Sequence, residues 1–221
     1  MKALVLLGPP GSGKGTAAKE LSGRLGFRHV STGDLFREAL SENTDAGKAI
    51  RPYMEKGLLV PDSLVLDVIR DLVVNLPDST RILMDGFPRT LPQARDFDHV
   101  LSEGGSGVSH VFLLDVERIM LEKRLMGRLI CSSCGAIFHR ESKPPAVSGR
   151  CDECGSSLEQ RSDDTIETIR KRQNVYEELT MPVIDFYGEK GLLRRINGHR
   201  PQGEVLNSLL EVLGENGENC T

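Results

Sequence analysis

The chain has 221 residues, of which 38% are hydrophobic, enough for a core of ordinary size in one large or two small domains. This excludes a miniprotein held by disulfides. Lys and Arg number 28 against 32 Asp and Glu, a formal net charge of −4, so we expect any polyanion site to be local. Apolar residues 2–7 end at a Gly-Pro-Pro-Gly turn and are too few for a signal peptide or a membrane span. We therefore expect a soluble, cytoplasmic protein.

Apolar runs alternate with amphipathic stretches along the chain. The runs predict buried strands at 2–7, 28–30, 81–84, 110–115 and 193–197. Helical spacing is found at Ala18, Leu21 and Leu25, at Leu64, Val65, Val68, Ile69 and Leu72, and at Ile119, Met120 and Leu125. Strands that alternate with helices predict crossover connections and a parallel sheet.

Two stretches interrupt this alternation. Residues 31–60 read as a small helical insert, and residues 127–164 are rich in Cys, Ser, Gly and Pro. The remaining segments, 1–30, 61–126 and 165–213, are then predicted to form one core. Residues 214–221 form a polar tail, typical of a frayed end.

A glycine-rich loop, GPPGSGKGT from Gly8 to Thr16, stands between the first predicted strand and the first predicted helix. Glycines let backbone N–H groups approach a phosphate, the helix N-terminus adds positive potential, and Lys14 can reach the β- and γ-phosphates. The general pattern GxxxxGK[ST] is met only up to Lys14, since Gly15 replaces the hydroxyl residue and Thr16 carries the hydroxyl. A ligand-free turn is the alternative, but the strand–loop–helix context favours a nucleotide site.

Four of the five cysteines form two CxxC pairs, Cys131 with Cys134 and Cys151 with Cys154, which leaves Cys220 without a predicted role. Paired CxxC motifs at this spacing are typical of a zinc ribbon. Four thiolates fill a tetrahedral shell, so we predict a structural Zn²⁺, with iron as the alternative metal. A redox CxxC is the rival interpretation, but such a motif normally opens a helix and is not duplicated.

Two further motifs follow in chain order: STGDLFR at 31–37 and LMDGFPRT at 83–90. With the displaced hydroxyl of Thr16, they make residues 1–213 resemble the adenylate kinases of the long-lid type with a four-cysteine lid. The resemblance implies an α/β fold, a P-loop nucleoside-monophosphate-kinase-like parallel five-stranded sheet flanked by helices. It also implies two mobile inserts, an AMP-binding one at 31–60 and a zinc-binding lid at 127–164.

The resemblance implies reversible transfer of a phosphoryl group from MgATP to AMP, giving two ADP, in nucleotide homeostasis and purine salvage. It implies a monomer whose ligands are ATP, AMP and ADP, and no nucleic acid or membrane partner. Members of the family need Mg²⁺ with the nucleotide. Asp85, at the end of a predicted buried strand where open α/β sheets place ligands, and Asp34 are expected to hold this ion through water.

The resemblance also assigns binding residues by position. Those for AMP are Thr32, Arg37, Leu58, Leu59, Val60, Gly86, Phe87, Pro88, Arg89, Gln93, Arg161 and Arg172. Those for ATP are Gly11, Ser12, Gly13, Lys14, Gly15, Thr16, Arg128, Ile137, Phe138 and Arg200. The cations expected to act on the transferring group are Lys14, Arg89, Arg124, Arg128, Arg161 and Arg172. Converging cations would stabilise the charge of a metaphosphate-like transition state.

The residues alone leave simpler interpretations open. Ser31 to Asp34 can be a helix cap, Asp85-Gly86 a turn, and Arg124 with Arg128 a solvated basic face. Gln93 can be a surface residue, and Ile137 with Phe138 a small cluster beneath the metal. His139 is a ligand type, but four cysteines already fill the metal shell. The Asp163–Asp164 pair before a basic helix can serve the helix dipole.

Two other functions remain possible from the sequence. The acceptor can be UMP or CMP, or the donor GTP, although Thr32 and Gln93 favour AMP. A zinc-ribbon nucleic-acid-binding ATPase is the alternative from another class. It requires a basic surface with aromatic residues, whereas the chain has 5% aromatic residues and no Trp.

Overall fold

The computed structural model describes residues 2–42, 44–77 and 79–214, so Cys220 and the rest of the predicted tail lie outside the described residues. The strands are β1 (Lys2–Leu7), β2 (Arg28–Ser31), β3 (Arg81–Asp85), β4 (Gly107–Asp115), β5 (Arg128–Cys131), β6 (Ile137–His139), β7 (Leu158–Glu159) and β8 (Leu193–Asn197). The helices are α1 (Lys14–Leu25), α2 (Thr32–Ser41), α3 (Asp45–Glu55), α4 (Asp62–Val74), α5 (Leu91–Glu103), α6 (Arg118–Met126), α7 (Ile166–Val175), α8 (Met181–Glu189) and α9 (Gln202–Val212), with a π-helical segment at Tyr176–Thr180 between α7 and α8.

A five-stranded sheet in the order β2-β3-β1-β4-β8 forms the centre, and each of its strand pairs is parallel. The five predicted strands and the parallel sheet are confirmed. Helices must return the chain between parallel strands, so both faces of such a sheet become covered. This explains why the strands read as apolar runs and not as polar–apolar alternation.

The side chains of β1 divide between the two faces of the sheet. Ala3, Val5 and Leu7 join one apolar cluster, which also contains Phe87, Phe97 and Tyr187 from the α5 and α8 side of the sheet. Leu4 and Leu6 join the other, with Leu21 of α1 and Leu206 of α9. Period-two alternation therefore gives β1 two cores, one on each face.

The predicted helical patterns form α1, α4 and α6, but their apolar residues are not all buried. In α4, Val65 and Ile69 are buried, whereas Leu64 and Val68 are exposed. In α6, Ile119 has 73% of its surface exposed. The spacing correctly indicated helices, while burial depends on which part of each helix the sheet covers.

The two interrupting stretches contain different elements, and Ile50 and Val60 of the first stretch belong to the apolar cluster on the α5 and α8 side of the sheet. Residues 31–60 contain α2 and α3, and residues 127–164 contain a three-stranded antiparallel sheet in the order β6-β5-β7. Among the residues that the structure describes, no helix is both long and apolar enough to cross a membrane.

Candidate functional site

A cleft of about 940 Å³ opens at the carboxyl ends of the parallel strands and is bounded by residues of both interrupting stretches. Parallel strands end at a common edge, so the loops that follow them meet there. The cations lining the cleft include Lys14, Arg37, Arg89, Arg124, Arg128, Arg161, Arg172 and Arg200. The structure thus brings together cationic residues that are distant in the chain.

The loop from Gly8 to Thr16 wraps around the ammonium group of Lys14. Its Nζ donates to the carbonyl of Gly8 at 2.6 Å and to that of Pro9 at 2.9 Å. Gly13 is the residue before α1 and has φ of 96°, a left-handed conformation that glycine adopts without strain. Desolvation and the neighbouring charge of Arg89 together lower the pKa of Lys14 to about 7, against the opposing charge of Asp85.

Gly15 explains the departure from the general loop pattern. A Cβ atom at this position would lie 3.3 Å from Oδ2 of Asp85, so a larger residue would crowd the carboxylate. Asp85 ends β3, is buried, and lies 3.4 Å from Nε2 of His29. A carboxylate beside the loop suits a hydrated Mg²⁺.

Asp34 occupies a different environment from Asp85. Its carboxylate forms an ion pair with Arg37 and has Arg161 at 3.9 Å. Burial raises the pKa of Asp34, but the hydrogen bond and charge of Arg37 outweigh this and hold it below its usual value. Ser31 caps α2 by accepting from the backbone N–H of Asp34, so the motif at 31–37 includes a true helix cap.

Two acidic residues just before α7 hold two of the cleft arginines. Arg128 donates from Nε and Nη2 to Asp164 at 2.8 and 2.6 Å, and the Asp164 side chain has no exposed surface. Nη1 of Arg172 donates to Asp163 at 2.8 Å. These carboxylates therefore orient arginines across the cleft, beyond any effect on the helix dipole, and Arg128 is not a solvated residue.

Burial weakens the proton affinity of several cleft arginines. Desolvation and the nearby charge of Arg172 lower the pKa of Arg89 to about 10. Desolvation and the nearby charge of Arg128 lower the pKa of Arg161 to about 9. Arg124 donates to the carbonyl of Gly198 at 2.9 Å. Several positive side chains that are buried close together repel one another, so binding of an anionic ligand in this cleft is favourable.

On the far side of the cleft, Gly86 accepts two hydrogen bonds. Thr32 Oγ1 donates to its carbonyl at 3.1 Å and Arg89 Nε at 2.6 Å. Gln93 is buried with 2% of its surface exposed, and its Oε1 accepts from the backbone N–H of Arg89 at 2.8 Å. Gln93 is thus not a surface residue. Leu58, Leu59, Val60, Phe87 and Pro88 also line this side.

The antiparallel sheet of 127–164 also lines the cleft. Ile137 and Phe138 line the cleft, and Phe138 also packs into a small cluster with Cys131, Ala136 and Cys151, so the cleft and cluster interpretations are compatible. His139 Nδ1 accepts backbone N–H groups of Glu141 and Ser142, both at 3.1 Å, a structural role away from the cysteines. Lys19 of α1 donates to the carbonyl of Gly135 at 2.7 Å, joining this sheet to the core.

The four cysteines of the paired motifs come together. The Sγ atoms of Cys131, Cys134, Cys151 and Cys154 all lie within 4.8 Å of one another. Tetrahedral zinc thiolates stand about 3.8 Å apart, because each Zn–S bond is ~2.3 Å. The Cys131–Cys154 and Cys134–Cys151 distances of 3.4 and 3.5 Å are close to this spacing. The donor set fits a closed zinc site.

A family model described as adenylate kinase matches residues 6–192. The chain belongs to the adenylate kinase family. It is 42% identical over 212 residues to the adenylate kinase of Clostridium botulinum (strain Eklund 17B / Type B), covering 96% of this chain and 99% of the relative. It is 44% identical over 210 residues to that of Caldanaerobacter subterraneus subsp. tengcongensis, covering 95% of each. Adenylate kinase activity, the ATP:AMP phosphotransferase reaction, follows from matches of this length.

The structure adds polar residues to the adenylate kinase pattern read from the sequence. Asp163 and Asp164 orient arginines, and Asp62 accepts a hydrogen bond from Gln93 at 2.7 Å. The adjacent acidic pair before an arginine-rich helix was a usable signal for Asp163 and Asp164. Asp62 had none, because its partner lies 31 positions away.

Proposed function

We propose that this cleft is where the chain transfers the γ-phosphoryl group of MgATP to AMP, giving two ADP. The observation that carries the proposal is the convergence of the Lys14 loop with arginines from widely separated segments on one cleft. Positive groups that surround a transferring phosphoryl group stabilise its transition state, and the reaction needs little further chemistry from the protein.

The donor would bind on the loop side. Backbone N–H groups of residues 11–16, together with Lys14, would face its phosphates, and Ile137, Phe138 and Arg200, which also line the cleft, would border its base. Mg²⁺ bound with the nucleotide neutralises charge on the β- and γ-phosphates. Asp85, buried beside Gly15, is the carboxylate placed to hold that ion through water. Asp34 fits this role less well, because Arg37 and Arg161 already engage it.

The acceptor would bind on the other side, with its phosphate among Arg37, Arg89 and Arg172. Thr32, the backbone at 58–60, Gly86 and Gln93 would surround its nucleoside. Arg124 and Arg128 would contact the group in transfer from the donor side, and Arg161, which lies 3.9 Å from Asp34 of the 31–60 segment, would reach both that group and the acceptor phosphate. Arginine suits this task because its planar fork donates two parallel hydrogen bonds to a phosphate.

We further propose that residues 31–60 and 127–164 move relative to a core of 1–30, 61–126 and 165–213. Closure of both segments would exclude water, which otherwise competes as phosphoryl acceptor. Cys131, Cys134, Cys151 and Cys154 would hold a structural Zn²⁺, because four thiolates leave no open position for catalysis. We propose that the protein acts as a monomer in a reducing cytoplasm, where these thiols stay available to the metal.

A coupled assay of ADP formation tests the function directly. Purified protein with MgATP is given AMP, CMP, UMP or GMP in parallel, and GTP replaces ATP in a second series. The expected result is rapid turnover with ATP and AMP and far slower turnover with the other pairs. Equal or faster turnover of CMP or UMP would overturn the assignment of the acceptor, and absence of ADP formation would overturn the proposal.

A further inference from the structure

Gln93 is held by partners whose hydrogen-bonding roles cannot be exchanged. The backbone N–H of Arg89 can only donate, and it meets one end of the Gln93 carboxamide at 2.8 Å. The carboxylate of Asp62 can only accept, and it meets the other end at 2.7 Å. The carboxamide oxygen must therefore face Arg89 and its nitrogen Asp62. The network itself, and not the labelling of two similar atoms, fixes the orientation.

Asp62 is in turn fixed by a second partner. Its other oxygen accepts from the hydroxyl of Thr90 at 2.8 Å. Thr90 also caps α5 by accepting from the backbone N–H of Gln93. Asp62 opens α4, directly after the segment 58–60 that lines the cleft. The arrangement links two segments, the start of α4 and residues 89–93, around one buried carboxamide, so a 180° turn of that group would break two hydrogen bonds at once.

This fixed orientation has a consequence for the base that Gln93 meets. After its internal bonds, the carboxamide has one N–H and one oxygen lone pair left, on a residue that lines the cleft. Adenine offers an acceptor at N1 beside a donor at N6, which matches that pair. Hypoxanthine and guanine offer a donor at N1 beside an acceptor at O6 and require the opposite orientation.

We propose that Asp62 is a positioning residue for acceptor specificity: by preventing the Gln93 carboxamide from turning, it makes the site reject 6-oxopurine monophosphates. The inference rests on the proposed function, in which Gln93 contacts the acceptor base. It is a form of discrimination by mismatch, since a 6-oxopurine would face an N–H with its own N–H and an oxygen with its own oxygen. Sites built on such polar matching reject the wrong partner strongly.

IMP is the appropriate probe, because it differs from AMP at the edge in question and keeps the purine shape. The wild-type protein should show kcat/KM for AMP at least about 10³-fold above that for IMP. Asp62→Asn places a group at this position that can donate or accept, so a turn of the Gln93 carboxamide then gives up only the bond from the Arg89 N–H and becomes less costly. The AMP-to-IMP ratio should then fall by about tenfold or more, while the KM for ATP stays unchanged.

Three further proteins make the test specific. Asp67→Asn changes an exposed carboxylate on the same helix and should leave the ratio at the wild-type value. Gln93→Ala should lower the ratio by itself, and adding Asp62→Asn in that background should lower it no further. If Asp62→Asn lowers the melting temperature enough to prevent assay, Asp62→Ala, which also removes the acceptor that opposes the turn, replaces it.

The outcomes separate the inference from the function. No phosphorylation of AMP by the wild-type protein defeats the proposed function. Efficient AMP turnover with an unchanged ratio in Asp62→Asn defeats the inference alone. So does an equal fall of the ratio in the Gln93→Ala background, because Asp62 would then act through another group. A wild-type protein that uses IMP as well as AMP also defeats it, even if neither Asp62 variant folds.

Discussion

The parallel sheet and the cysteine-bearing sheet of 127–164 are stabilised in different ways. The parallel sheet has an extensive apolar cluster on each face. The buried cluster of the smaller sheet consists of Cys131, Ala136, Phe138 and Cys151, two of which are proposed metal ligands. A segment with so little apolar burial cannot offset its conformational entropy without a further crosslink. The comparison teaches that one chain combines a core with large apolar clusters and a segment for whose fold we propose a metal.

The cleft draws its charges from both regions. Lys14 begins α1 and Arg89 lies between β3 and α5, at the edge of the parallel sheet, whereas Arg128 and Arg161 belong to 127–164. The segment that carries the four cysteines therefore supplies part of the cationic lining of the cleft. Loss of the metal should affect activity as well as stability, and the two regions can be perturbed separately.

Removal of the metal should have the largest effect. Structural zinc contributes about 10–16 kcal/mol to the folding of small zinc domains. Chelation, or Cys131→Ser, should unfold 127–164, raise the KM for ATP and leave the parallel sheet folded. Hydrogen exchange followed by mass spectrometry checks this, with lost protection in 127–164 and retained protection in β1. Ser133→Ala is the control between the same ligands. Unchanged protection in a metal-free preparation would contradict the difference between the regions.

Substitution in the cleft wall of the parallel sheet should show the reverse pattern. Lys14→Ala or Arg89→Ala should lower kcat by about 10³-fold, or about 4 kcal/mol of transition-state stabilisation. The melting temperature should change little, because neither side chain supports an apolar cluster. Lys171→Ala, an exposed cation beside Arg172, is the matched control in the coupled assay. Near-normal rates for Lys14→Ala would show that the chemistry occurs elsewhere.

Asp164→Asn tests the junction of the two regions. The change removes the charge that Arg128 engages with two hydrogen bonds at a fully buried carboxylate. We expect a loss of about 2 kcal/mol in the free energy of unfolding, measured by chemical denaturation, and a raised KM for ATP. Glu159 is an exposed carboxylate of β7, so the control Glu159→Gln should change the free energy of unfolding by no more than about 0.5 kcal/mol. Equal free energies of unfolding for the two variants would show that the ion pair of Asp164 with Arg128 does not stabilise the fold.

The pH dependence of donor binding should reflect Lys14. Its pKa is about 7 because burial disfavours the ammonium form, while bound phosphate favours that form. Above pH 7 the free protein must take up a proton to bind, so affinity for MgATP should fall with rising pH by about tenfold per unit, about 1.4 kcal/mol. Calorimetry between pH 6 and 8.5 checks this. Lys14→Arg should abolish the dependence, and an unchanged wild-type Kd across the range would refute it.

Lys19→Met should have the smallest effect. It removes the exposed hydrogen bond from α1 to Gly135, worth about 1 kcal/mol or less. The KM for ATP should rise about two- to fivefold while the melting temperature is unchanged, since neither region loses an internal contact. Arg24→Met on the same helix is the control. A KM equal to that of the control would show that this contact does not help to hold 127–164 against the core.

The sequence determined the features that depend on neighbours in the chain. The five parallel strands follow from apolar runs such as 2–7, the loop at Lys14 from its position between strand and helix, and the four-cysteine cluster from two CxxC pairs. Recognition of separated motifs also indicated the family, which the comparisons confirm. Each of these signals is local, so the order of residues is sufficient to read it.

Only the tertiary structure decided which distant residues meet. It paired Arg128 with Asp164, placed Asp34 against arginines, brought Asp85 close to Gly15, and joined Asp62 to Gln93. It also decided that Val65 is buried while Val68, on the same helix, is exposed. The physical reason is the same throughout: periodicity and spacing report local geometry, whereas a hydrogen bond between distant segments exists only after the sheet has placed them side by side.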